Sequence, residues 1–195
     1  MYPGFSRFIV ACAGLLAACG LIAAGASARP VPQTTPGDAL DPRTYAPESK
    51  LFLVVYATGV QKYTCQANGT WLFTDPEATL YRSERSRKPI GTHYLNFASG
   101  RPVWRLKDGS SVEAARAASA PAPAGNIAWL LLQTATTTGG DDGDRLTKTT
   151  WVQRLNTFGG VAPAGACMPG DKTAVPYSTD YLFWKAGPVH EVVDD

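Results

Sequence analysis

Acid–base chemistry in this chain rests on two histidines, His93 and His190. Only His93 lies in a patterned stretch, on one face of a strand with Gly91 and Leu95. Joined by Asp108 or Ser110 from the turn Asp108-Gly109-Ser110, it would serve a small hydrolase or lyase as acid, base or activator of a nucleophile. That chemistry requires the fold to bring the groups within hydrogen-bond reach. The plainer role is a half-buried imidazole bonded to a loop. No Gly-x-Ser-x-Gly elbow supports a nucleophile. His190 sits in the terminal run 187–195, which reads as a flexible tail.

A metal centre is not expected, since a protein site usually wants three ligands and one well-placed imidazole is on offer. The loop Asp141-Asp142-Gly143-Asp144 resembles a hard-cation site in composition but lacks the EF-hand pattern, and reads better as a polar hairpin tip. Tyr63, Trp71, Trp104, Trp129, Trp151 and Trp184 are either core or an aromatic ligand platform, with Trp104 the most natural rim residue. A ligand would contact the face near Gln61, Tyr63, His93 and Trp104. Arg82, Arg85, Arg87 and Lys88 are interrupted by Glu84 and read as a solvated loop.

The elements that hold these residues are strands. Leu51 to Tyr56 is apolar on both faces, Gly59 reads as a turn, and Val60 to Cys65 alternates, with Gln61, Tyr63 and Cys65 together. Asn68-Gly69 predicts a hairpin into Trp71-Leu72-Phe73, and Asp75-Pro76 reads as a break before Ala78 to Arg82. Further strands are expected at 90–96, 103–107, 126–133, 149–157 and 177–184, and 112–120 reads as strand despite its Ala, Glu and Arg. In 126–133, Ile127, Trp129 and Leu131 oppose Ala128, Leu130 and Leu132. About nine short strands without an amphipathic helix predict an all-β fold, an antiparallel sandwich or barrel.

The first residues concern destination. Arg7, an apolar run from Phe8 to Ala26 and the end Ala26-Ser27-Ala28 predict a signal peptide over 1–28. A membrane anchor is the alternative, and Leu16-Ala17-Ala18-Cys19 suggests a second, lipid attachment at Cys19. Residues 29–49 carry five prolines and read as a flexible leader to a single domain over 50–186. The exported chain of 167 residues has 17 Lys plus Arg against 16 Asp plus Glu, which gives no pull toward nucleic acid. It has no further run of membrane-spanning length, so a partner would belong to the envelope or cell surface. Cys12 and Cys19 fall in the signal, and Cys65 and Cys167 remain as an even pair bound for an oxidising compartment. One disulfide is the economical reading, with a reactive thiol or metal pair as the alternative.

Several markers occur in order: Gly59-x-Gln61-x-Tyr63-x-Cys65 with Trp71; Gly91-Thr92-His93-Tyr94, Pro102-x-Trp104 and Asp108-Gly109-Ser110; Trp129 to Leu132, Arg154-x-Asn156-Thr157-x-Gly159-Gly160 and Cys167; Val175-Pro176-Tyr177 and Tyr181-x-Phe183. In this series the chain resembles a family of secreted bacterial and fungal proteins catalogued as a domain of unknown function, over about residues 50–185. The resemblance implies an exported β domain, periplasmic or extracellular, with no established activity. Some fungal members carry the label malate dehydrogenase. No Gly-x-Gly-x-x-Gly turn is present to receive a dinucleotide, and no cofactor is expected. The expected function is a non-catalytic binding or structural module, with the hydrolase or lyase at His93 and a Cys19-anchored envelope protein as alternatives.

Overall fold

The structure, a computed structural model, describes residues 49–187; the signal, leader and tail readings and His190 lie outside them. Eight antiparallel strands follow one another around a closed barrel. They are β1 (Ser49–Cys65), β2 (Trp71–Tyr81), β3 (Pro89–Asn96) and β4 (Arg101–Leu106), then β5 (Ser111–Ala120), β6 (Trp129–Thr138), β7 (Thr149–Gly159) and β8 (Lys172–Ala186). The choice between sandwich and barrel is settled by β8, which pairs with β1 from Ser49↔Ala186 to Thr64↔Lys172. Segment 112–120 is strand, as expected.

Two expected breaks do not occur. Gly59 is no turn but the middle of β1, where its missing Cβ lets β2 come close; a methyl there would overlap the Glu77 carbonyl and lie 2.5 Å from Ala78 Cα. Asp75-Pro76 likewise lies inside β2, and the irregularity is a bulge opposite Lys62/Tyr63. Pro76 is tolerated because β3 pairs with β2 only as far as Ala78, so no ladder on that side needs its missing N–H. These two joins bring the strand count to eight, against the expected nine or so.

Connections alternate between the ends of such a barrel. Those at 66–70, 97–100, 121–128 and 160–171 gather at one end. Those at 82–88, 107–110 and 139–148 gather at the other, together with Ser49 and Ala186. The second end is filled. Val55, Leu80, Leu106, Val112, Leu146, Val152 and Phe183 form one buried cluster, to which each large side chain contributes about 1.5–3 kcal/mol by leaving water. Leu146 comes from the β6–β7 connection and is fully buried, so this loop stoppers the barrel.

A second cluster, Leu131, Leu155, Leu182 and Trp184, packs with Leu51, Trp129 and Trp151. On β6 it takes Leu131 while Leu132 and Leu130 join the first cluster, but the strand begins at Trp129 rather than at 126, and Ile127, expected to side with Trp129 and Leu131, packs on the first cluster. On β1 an irregularity between Leu51 and Leu53 lets Leu51 pack on the second cluster while Leu53 and Val55 serve the first. Among the described residues, no helix is long and apolar enough to cross a membrane.

Candidate functional site: a cationic cavity in the barrel mouth

An eight-stranded barrel has an interior just wide enough to be filled by side chains or to hold one small ligand. Here the two ends differ. Toward the open end the ladders part: β2–β3 pairing stops at Ala78↔His93, and β4–β5 pairing stops at Val103↔Glu113, next to a bulge at Glu113/Ala114. A cavity of about 400 Å³ opens between them, with Pro76, Leu95, Pro102, Leu130 and Leu132 among its walls. A second space of about 500 Å³ shares Gln61, Phe73, Arg116, Leu130 and Arg154 with the first, so the two adjoin.

Arg154 projects from β7 toward both. Its Nε and Nη2 donate to the Ala128 carbonyl at 3.1 and 2.8 Å, and it hydrogen-bonds the Tyr181 hydroxyl. The motif around it builds the wall it leans on. Thr157 Oγ1 donates to the Ile127 carbonyl at 2.6 Å, and the Gly159 N–H donates to Asn126 Oδ1 at 2.7 Å. Asn156 and Gly159 take left-handed backbone, φ 50° and 71°, as the strand ends. Arg154-x-Asn156-Thr157-x-Gly159-Gly160 is therefore a bracket that fixes segment 126–128 beside the cavity.

A polar chain continues from Arg154 through Tyr181 to Tyr177, whose hydroxyl lies 3.5 Å from that of Tyr181. Burial raises the pKa of both tyrosines, so both stay protonated donors. Gln61 Nε2 and Trp104 Nε1, on side chains 3 % and 1 % exposed, have no partner among the described residues. The cavities hold Arg154 and, at their exposed edges, Arg116 and Arg101, and among the described residues no Asp or Glu lines either one.

His93 is not half-buried beside a loop but 3 % exposed inside the barrel, with Nδ1 2.8 Å from the Val103 carbonyl of neighbouring β4. Its ring stacks on Trp104 with centroids 4.6 Å apart and an angle of 16°. Tyr181 lies across it at 5.0 Å. Burial, and secondarily the Arg154 charge, lowers its pKa to about 3 against the pull of Val103. At neutral pH it is uncharged and a weak base. Trp104 is not at a rim either; it is packed at the centre, edge-on to Tyr181 and Phe183, though it reaches the cavity wall.

Asp108 and Ser110 are at the opposite end. Asp108 lies in the turn beyond β4, a strand that itself runs two residues, or roughly 7 Å at about 3.3 Å per residue, past Trp104, the cross-strand neighbour of His93. Both are occupied there. Asp108 Oδ1 accepts from Ser110 N–H at 3.0 Å and Ser110 Oγ at 2.6 Å, and Oδ2 accepts from Arg145 N–H at 3.3 Å. Ser110 Oγ in turn accepts from Leu146 N–H at 3.2 Å. Burial works to raise the Asp108 pKa, but these hydrogen bonds outweigh it and hold the carboxyl below its ordinary range. The pair clamps the stopper loop, and the structure does not bring it to His93.

The four residues expected at a ligand face are divided between the two adjoining spaces. Gln61, His93 and Trp104 line the first cavity, and Tyr63 lines the second, donating to the Gly160 carbonyl at 2.6 Å. Cys65 and Cys167 form the disulfide, Cα atoms 5.9 Å apart, and fix the 160–171 connection against the β1–β2 turn. Cys65 N–H donates to the Asp171 carbonyl and Cys167 N–H to that of Gly69. Sequence reasoning missed Arg154, Tyr181, Tyr177, Phe73, Arg101 and Arg116 as site residues. Arg154 shares the alternation of inward-facing Val152, but buried residues on both faces of β7 hide that signal in the sequence. The acidic loop closes on itself through the Gly140–Gly143 bridge, and no cluster of three His, Cys, Asp or Glu occurs among the described residues. Residues 82–88 are an exposed loop, with only Ser86 partly covered.

Fold and site together define an up-and-down β-barrel with a cation-lined cavity in one mouth. The chain belongs to the family described as Protein of unknown function (DUF3455), whose profile matches residues 82–185, the span holding β3 to β8 up to Lys185. No curated protein and no solved structure matches the chain.

Proposed function

We propose that the protein is an exported, non-catalytic binding module that holds a small molecule in the barrel mouth. The observation that carries this reading is the cavity itself: a mostly apolar recess with a few fixed polar groups is the form small-ligand sites take. Export is supported by the N-terminal signal pattern and by the Cys65–Cys167 bond, a linkage at home in oxidising compartments. A non-catalytic role is supported by His93, neutral and packed against Trp104, with Asp108 and Ser110 engaged at the other end.

The test is fluorescence of N-phenyl-1-naphthylamine, a neutral apolar dye, added to the purified protein. Emission should rise and saturate at one dye per chain, and Leu130→Trp, which places an indole where both spaces meet, should suppress it. No rise with the wild-type protein would sink the reading. Turnover of any substrate that His93→Gln abolishes in a folded protein would replace it with an enzyme.

A further inference from the structure

A cation partly withdrawn from water is best held when something answers its charge, and among the described residues no carboxylate pairs with the half-buried Arg154. Between described residues, the only ion pairs join Lys62 to Asp75 and Glu77. Of the five N–H donors of a guanidinium, two go to the Ala128 carbonyl and the Tyr181 hydroxyl engages the group once more, so part of the fork is left over. The remainder belongs to a side chain that lines both spaces. Holding a guanidinium by Nε and Nη2 on one carbonyl fixes its plane and leaves donors on its other edge. That is an arrangement suited to a carboxylate or similar planar oxyanion.

Three further observations point the same way. Gln61 Nε2 and Trp104 Nε1, both donors, are buried and unpartnered on the same walls. Arg116 and Arg101 stand exposed at the edge, where they favour approach of an anion. The rest of the surface is apolar, with Leu95, Pro102, Leu130 and Leu132 facing the space. A small inorganic anion would leave those walls without a partner, and a neutral apolar molecule would leave Arg154 without one.

We infer that the ligand is an organic anion with an apolar body, its carboxylate on Arg154 and its body against Leu95, Pro102, Leu130 and Leu132. This rests on the binding reading above and adds the chemical class. The experiment displaces N-phenyl-1-naphthylamine with a matched pair, 2-naphthoate and 2-naphthalenemethanol, which share a ring and differ in charge. Naphthoate should bind roughly ten- to a hundredfold more tightly, the range of a hydrogen bond to a charged group. Arg154→Met should bring the two to near equality. Arg154→Lys, which keeps the charge but loses the fork, should retain an intermediate preference and serves if the methionine variant does not fold.

Equal affinities in the wild-type protein overturn the anion inference while the dye still reports a binding site. A naphthoate preference unaltered in the folded variants overturns the role of Arg154. Failure of both compounds to displace bound dye also overturns the inference, whereas failure of the dye itself to bind removes the binding reading beneath it.

Discussion

His93 and Trp104 face each other across β3 and β4 with their rings stacked 4.6 Å apart, and both are almost wholly buried. The contact requires a neutral imidazole, because a charged one would have to be carried into the barrel beside the Arg154 cation.

Acid should therefore unfold this protein through His93. With its folded pKa near 3 and an ordinary value of 6.5, the group favours the native state fully above pH 6.5. That contribution is lost as pH falls from there toward 3, by about 2 kcal/mol at pH 5 at ~1.4 kcal/mol per unit. Urea unfolding between pH 5 and 8 should show the slope in the wild-type protein, and His93→Gln should flatten it. An equal slope in both would place the acid sensitivity elsewhere.

Asp108→Ala removes the acceptor of three hydrogen bonds and releases the loop that carries Leu146. A loss of about 2–3 kcal/mol is expected from the orphaned donors. Dye binding in the opposite mouth should be unchanged below the melting temperature. Loss of binding without loss of stability would contradict a purely clamping role.

Replacing Cys65 and Cys167 together by Ala opens a loop whose ends are 102 residues apart. The chain-entropy account gives about 4–5 kcal/mol. Because the bond also fixes the connection that brings Val161 and Ala162 to the cavity, dye affinity should fall as well. Calorimetry and dye titration under reducing and oxidising conditions measure the two effects separately.

Gly59→Ala should cost at least about 2 kcal/mol, since the new methyl would meet backbone rather than a yielding side chain. Denaturant midpoints compare it with Gly100→Ala, where nothing lies within 4 Å but the backbone has φ 67°, as a control for conformational strain alone.

Gly59 also shows what the sequence could and could not convey. Alternation located the strands, and Asn68-Gly69 and Asp108-Gly109 marked true turns, because those signals are local; Gly69 and Gly109 have φ of 75° and 85°. A glycine within a strand gives the same local signal as a turn, and the reason for Gly59 is an atom of Ala78 on another strand. Pro76 misled in the same way, its tolerance depending on where β3 stops pairing. Closure of the barrel depends on β1 meeting β8, residues more than a hundred positions apart, which periodicity cannot register. The cysteine pair was legible because an even count is a property of composition. Arg154 escaped notice since β7 carries buried side chains on both faces, Val152 on one and Leu155 on the other, so its alternation gave no contrast against which an inward arginine would stand out.

Ser49 and Ala186 are cross-strand partners at the stoppered end. Joined by a short linker they would make β8 and β1 an ordinary hairpin, and the exposed loop 82–88 could be cut to supply new ends. Such a circular permutant keeps every rung of the hydrogen-bonded ring, so no strand is intrinsically first. The mouth, remote from both old and new ends, should be indifferent to where the chain is opened.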